Sequence, residues 1–110
     1  MLGSDTAIDG GKNVQADIQT IHQLTGFQRD LLYCIVGLDR PSGQRIRETL
    51  EEQTGREITH GRLYPNLDTL VNRGLVSKGE IDRRTNYYTI SDAGTDALRS
   101  YHEWGSGRLS

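Results

Sequence analysis

His60-Gly61-Arg62-Leu63-Tyr64-Pro65-Asn66-Leu67-Asp68-Thr69-Leu70-Val71-Asn72-Arg73-Gly74-Leu75-Val76 is the stretch on which the fold turns. Leu63, Leu67, Leu70 and Val71 recur at intervals of three and four, which marks a helix with one apolar stripe. Thr59, after Ile58, is placed to cap it. Gly74 suits a left-handed stop just after Arg73. Pro65 is the irregularity. It lies inside the helix, where it removes one backbone bond and crowds the carbonyl of Gly61. The expectation is a first turn that is irregular or kinked, with Gly61 easing the crowding.

Working outward, Leu75–Ile81 and Asn86–Ile90 are β-rich and flank Asp82-Arg83-Arg84-Thr85. This predicts a two-stranded hairpin with a basic tip. Ser91-Asp92 then starts a last helix with Ala93, Ala97, Leu98, Tyr101 and Trp104 as its apolar positions. Upstream, Gln44–Gln53 is a short helix with Ile46 and Leu50 inward and Gly55 as its stop. Asp39-Arg40-Pro41-Ser42-Gly43 is a turn. Before it, Thr25-Gly26-Phe27-Gln28 fits a capping box, opening a helix whose face is Phe27, Leu31, Leu32, Ile35 and Leu38. Val14, Ile18 and Ile21 have helical spacing within 14–22, as a short helix or an ordered arm. A monomeric core has little need of that segment, so it is expected to pack on a partner subunit. Residues 1–13 read as a disordered arm, 14–104 as one domain and 105–110 as a flexible tail. After the N-terminal segment the order is helix–helix–helix–strand–strand–helix. That is mainly α with a small β-hairpin, the pattern of a winged helix-turn-helix.

The 110 residues allow one domain, and 34% hydrophobic content builds only a small core, so oligomerisation is expected. No apolar run reaches membrane-spanning length and no basic-then-apolar stretch is seen; a soluble, cytoplasmic chain with no membrane partner is expected. The single Cys34 excludes an internal disulfide and a cysteine-based zinc site. In Leu31–Val36 it reads as a buried, inert thiol. The charge is awkward for a nucleic-acid binder: 13 basic against 15 acidic residues, net −2. Residues 41–90 come closest to balance, with eight basic and seven acidic. Eleven of the basic residues are Arg and two are Lys, Lys12 and Lys78, a composition that suggests a salt-loving host. No catalytic set is visible. His22, His60 and His102 are scattered, Glu51-Glu52 sits on a solvated face, and there is no glycine-rich phosphate loop. Neither an enzyme, a cofactor nor a metal is expected.

Gly61-Arg62-Leu63-Tyr64-Pro65-Asn66-Leu67, with Leu70 and the Gly74-Leu75-Val76 step into the hairpin, resembles the signature of the PadR family of transcriptional regulators. The resemblance extends to Gly43-Gln44-Arg45-Ile46 and to Asn86-Tyr87-Tyr88-Thr89-Ile90-Ser91-Asp92-Ala93-Gly94, and covers about residues 26–104. It implies a dimeric regulator, commonly a repressor, on a palindromic operator, in some members released by a small effector. The wording of Thr25–Tyr33 and the acidic balance look like an archaeal, haloarchaeal-type branch. Gln44-Arg45 departs from the aromatic and acid often found there, and the single last helix looks like a short form.

A recognition helix presents its N-terminal side chains to the major groove. His60, Arg62 and Asn66 lie opposite Leu63, Leu67 and Leu70. Arg62 suits a guanine and Asn66 an adenine, while Thr59, Gly61 and the free first-turn amides suit a phosphate. The plain alternative for Arg62 is a solvated residue paired with Glu57. Tyr64 divides between packing and a phosphate. Arg83 and Arg84 at the wing tip suit a narrow minor groove, or else simply keep a hairpin edge soluble. Ser42, Gln44, Arg45 and Lys78 are further phosphate candidates. Val14, Ile18, Ile21, Leu98, Tyr101 and Trp104 are expected at a homodimer interface, where Tyr101 and Trp104 either pack alone or also line an effector pocket. Double-stranded DNA is the expected partner. The alternatives are a winged helix used as a protein-interaction module and an effector sensor with weak DNA binding.

Overall fold

The computed structural model describes residues 13–110; the expected N-terminal arm, Asn13 excepted, lies outside the described residues. Four helices come first: α1 Val14–His22, α2 Gly26–Val36, α3 Gly43–Thr54 and α4 His60–Asn72. The strands β1 Val76–Glu80 and β2 Asn86–Ile90 follow, and α5 Asp92–Leu109 closes the chain. This is a winged helix-turn-helix with one further helix at its front.

Each helix begins where a short polar side chain satisfies a first-turn amide. Asn13, Thr25, Ser42, Thr59 and Ser91 accept from Ala16, Gln28, Arg45, Arg62 and Gly94 respectively. Thr25 and Gln28 complete the reciprocal capping box, which satisfies two amides that the helix leaves unpaired. Gly74, at φ +76°, turns the chain out of α4 into the hairpin, a conformation that costs glycine no Cβ clash.

One apolar cluster joins these elements. Leu31, Leu32 and Ile35 of α2, Ile46 of α3 and Leu63, Leu67 and Leu70 of α4 are buried in it together with Tyr88 of β2. Burying a leucine side chain contributes about 1.5–3 kcal/mol, so the three-and-four spacing of α4 fastens that helix by its inner stripe. Its outer stripe is thereby left facing outward. The hairpin is antiparallel, with Val76 opposite Ile90 and Glu80 opposite Asn86. A third strip of backbone joins it: Ser42 bridges Tyr87, and the Tyr88 amide donates to the Pro41 carbonyl at 2.9 Å. Ser91 ties the far end of β2 back to β1, its amide donating to the Leu75 carbonyl and its hydroxyl to that of Gly74.

One expectation, the flexible tail, is corrected, and two others are made more specific. Helix α4 runs unbroken through Pro65, so the lost bond at Gly61 does not break it. The α1 segment packs within its own chain, chiefly along α5, with Ile21 entirely buried. The expected tail is helical instead: α5 continues through Gly105 to Leu109. Two glycines each cost about 1 kcal/mol in a helix. Arg108 stacked 4.7 Å over Trp104, one turn back, and the packing of α1 along α5 offset them.

Candidate nucleic-acid interface

The outer stripe of α4, the N-terminal turn of α3 and the wing meet on one side of the molecule. Between them lies a cleft of about 290 Å³ whose lining includes Ser42, Gln44, Tyr64, Arg84 and Asn86. Local sequence accounts for each placement. Ser42 caps α3, which leaves the amides of its first turn pointing outward. Gly43 lets the Tyr64 ring approach: a Cβ there would stand 2.6 Å from the Tyr64 hydroxyl oxygen. Arg84 is carried in by a tight wing tip in which the Asp82 carboxylate accepts from the amides of Arg84 at 2.8 Å and Thr85 at 2.9 Å. The Arg84 amide, followed by that of Thr85, holds the Asp82 carboxyl below its usual pKa. No carboxylate lines the cleft. A helix N-terminus, an arginine and the hydroxyls of residues such as Ser42 and Tyr64 make it suited to an anion.

Of the twelve residues expected to contact DNA, Ser42, Gln44, Tyr64 and Arg84 come together here. Thr59, His60, Gly61 and Arg62 are exposed along the start of α4, with the His60 ring 5.4 Å from that of Tyr64. Arg83 is exposed at the wing tip. Two others are placed elsewhere. Arg45 does not line the cleft, and its charge is felt by Cys34 on α2. Lys78 pairs with Asp68 at 3.9 Å, so it links β1 to the recognition helix. That is the sole ion pair among the described residues, so Arg62 does not pair with Glu57.

Arg62 and Asn66 are both engaged by the first turn of α2. The Arg62 guanidinium lies 4.0 Å over the Phe27 ring, a favourable cation–π placement. The Asn66 carboxamide accepts from Gln28 Nε2 at 2.9 Å and donates to the Arg62 carbonyl at 2.7 Å. An adenine contact by Asn66 therefore starts from a side chain that is already bonded. Phe27, Gln28 and Asn86 were not legible as site residues. Gln28 carries a local signal, the capping box, but nothing in its spacing announces a contact 38 residues away.

Helices α1 and α5 form a joint. His22 stands edge-on to Tyr101 at 5.3 Å and to Trp104 at 5.0 Å. Arg29 lies over Tyr101 at 5.5 Å. Of the six residues expected at a dimer interface, Ile21 and Leu98 are buried inside the protomer and have no surface to offer a partner. Ile18, Tyr101 and Trp104 are half-buried, and Val14 is 61% exposed. Cys34 is half-buried, its thiol pushed up by burial despite Arg45, which makes it a weak nucleophile. Among the described residues no cluster of His, Cys, Asp or Glu is arranged to hold a metal ion. No described helix is long and apolar enough to cross a membrane.

The chain was compared with known proteins. The model of the transcriptional regulator PadR-like family matches residues 31–100. Among solved structures, that of H. salinarum RosR is 46% identical over 78% of this chain and 77% of its own, with a TM-score of 0.74. A complex structure of hsRosR-S4 is 43% identical, covering 87% of this chain and 80% of its own, at a TM-score of 0.79. Bacillus subtilis PadR in complex with operator DNA is 23% identical over 73% of this chain and 47% of its own, at 0.59. At that identity the likeness concerns the fold. No curated protein sequence matches the chain.

Proposed function

The chain belongs to the PadR-like family of transcriptional regulators, and from that footing we propose that it binds a pseudo-palindromic DNA operator as a homodimer. Helix α4 enters the major groove, and the wing carries Arg83 and Arg84 along the adjacent minor groove. The observation that carries this reading is the cleft in which Ser42 and Gln44 at the start of α3, Tyr64 of α4 and Arg84 of the wing converge with no carboxylate among them. A backbone phosphate fits such a site, and phosphate contacts set the register from which base contacts are made. Bacillus subtilis PadR is bound to operator DNA and the repressor CouR to a 23-mer duplex. The same engagement is proposed here.

The α1–α5 joint supports the homodimer. Val14 and Leu109 are 61% and 92% exposed, and half-buried Tyr101 and Trp104 stand nearby on α5. For a homodimer on a two-fold site the recognition helices are expected about 34 Å apart, one turn of DNA. Footprinting on genomic fragments at low and high salt tests the whole reading. The expected outcome is a protected two-fold site that Arg62→Ala and Arg83→Ala each weaken about tenfold, the scale of one lost charged contact. Absence of any specific footprint, with both variants behaving as wild type, would sink it.

A further inference from the structure

Asn66 and Arg62 stand one turn apart on α4, so they share a face, and both are held by two consecutive residues of another helix. Phe27 lies under the Arg62 guanidinium and Gln28 donates to Asn66. The polarity of the second contact is fixed at both ends by backbone groups. The Thr25 amide can only donate, so the Gln28 atom it meets at 3.1 Å is the side-chain oxygen. Gln28 is then left with its NH₂ toward Asn66, so Asn66 turns its oxygen to it. The remaining end of Asn66 is its NH₂, and the group it meets, the Arg62 carbonyl, can only accept. A relay from Thr25 through Gln28 to Asn66 and the Arg62 carbonyl therefore has a single self-consistent direction.

We propose that Gln28, on α2 and outside the recognition helix, is a specificity-determining positioning residue. It fixes the donor–acceptor order that Asn66 presents to the edge of a base pair, while Phe27 holds Arg62 beside it. This rests on the reading of α4 as the base-reading helix. Base readout depends on that order, because adenine requires an acceptor for its amino group and a donor for its ring nitrogen. A carboxamide held the other way round offers the complementary pattern to a different base pair.

Gln28→Glu isolates the effect. A glutamate still accepts from the Thr25 amide, and glutamate serves equally well at this place in a capping box, so the thermal midpoint should hold. The carboxylate has no hydrogen to give Asn66, which must turn its NH₂ toward it and its oxygen toward the Arg62 carbonyl, or let go. The probe is a pool of random-sequence duplexes. It is selected with the full chain as wild type, Gln28→Glu, Asn66→Ala and the double variant, and the base preference is read at each position.

The expected result is a roughly tenfold change of preference in Gln28→Glu, the scale of one base contact. It should be confined to the base pairs that Asn66→Ala also changes and absent in the double variant. A general weakening from the added negative charge scales all sequences alike and leaves the profile unmoved. A profile that superimposes on wild type, or a change that persists without Asn66, overturns the inference. A wild-type chain that enriches no sequence overturns instead the DNA-binding reading beneath it.

Discussion

Gly43 shows how closely the residues of the interface are packed. The Tyr64 ring occupies the space where a Cβ would stand, so Gly43→Ala must displace either the ring or the start of α3. Overpacking of this kind costs about 1–3 kcal/mol. The urea midpoint is expected to fall accordingly, and in a Tyr64→Ala background the same substitution should be nearly free. An equal loss in both backgrounds would show that the ring is not what Gly43 accommodates. Single residues were also where the sequence was most and least readable. The caps at Thr25, Thr59 and Ser91 and the left-handed Gly74 follow from local chemistry, so they could be placed from spacing alone, whereas Ser42 was legible only as part of a turn. The engagement of Arg62 by Phe27 and of Asn66 by Gln28 joins helices far apart in the chain. No local preference specifies such a contact before the helices have packed.

The wing, as an element, depends on its acidic residue as much as on its arginines. Asp82 removes positive charge from a tip proposed to meet DNA, yet its carboxylate also organises the turn that delivers Arg84. These two roles give opposite expectations. Asp82→Ala is expected to weaken DNA binding despite removing a negative charge, whereas Asp82→Asn retains an acceptor and should bind at least as tightly as wild type. Anisotropy titrations of the two variants decide; tighter binding by Asp82→Ala would mean that charge alone matters. The pH response has a definite sign. The Asp82 carboxyl is held below its ordinary pKa, so the ordering it provides is full above the unfolded value and is lost as pH falls through the folded one. The amide resonances of Arg84 and Thr85 should report this loss on the acid side of the ordinary carboxylate range. Other elements were harder to read. Gly105-Ser106-Gly107 has the composition of a tail and forms the last turns of α5, because stacking on Trp104 and the packing of α1 outweigh propensity. The α1 segment seemed unneeded by a monomeric core for the same reason: the surface it covers, on α5, is assembled only in the fold.

For the whole molecule, charge bears on how it would bind. A net charge of −2 and a Lys78 already paired with Asp68 leave few cations to displace counterions from DNA. Affinity falls with salt by about 0.9 logarithmic units per tenfold for each phosphate neutralised. The expected slope is well short of the roughly −10 that a strongly cationic repressor reaches. Titration across a wide potassium chloride series measures it, and a slope near −10 would contradict the reading of DNA binding as carried by local geometry. The likeness to haloarchaeal RosR agrees with the Arg-rich, Lys-poor composition. The joint between α1 and α5 has an optical consequence. The chain has one tryptophan, and it stands between His22 at 5.0 Å and the Arg108 guanidinium at 4.7 Å. Its emission is therefore a signal from that joint. Any event that separates α1 from α5 removes His22 from Trp104 and should change that emission. The molecule thus carries its own fluorophore in the α1–α5 joint, where assembly can be followed without a label.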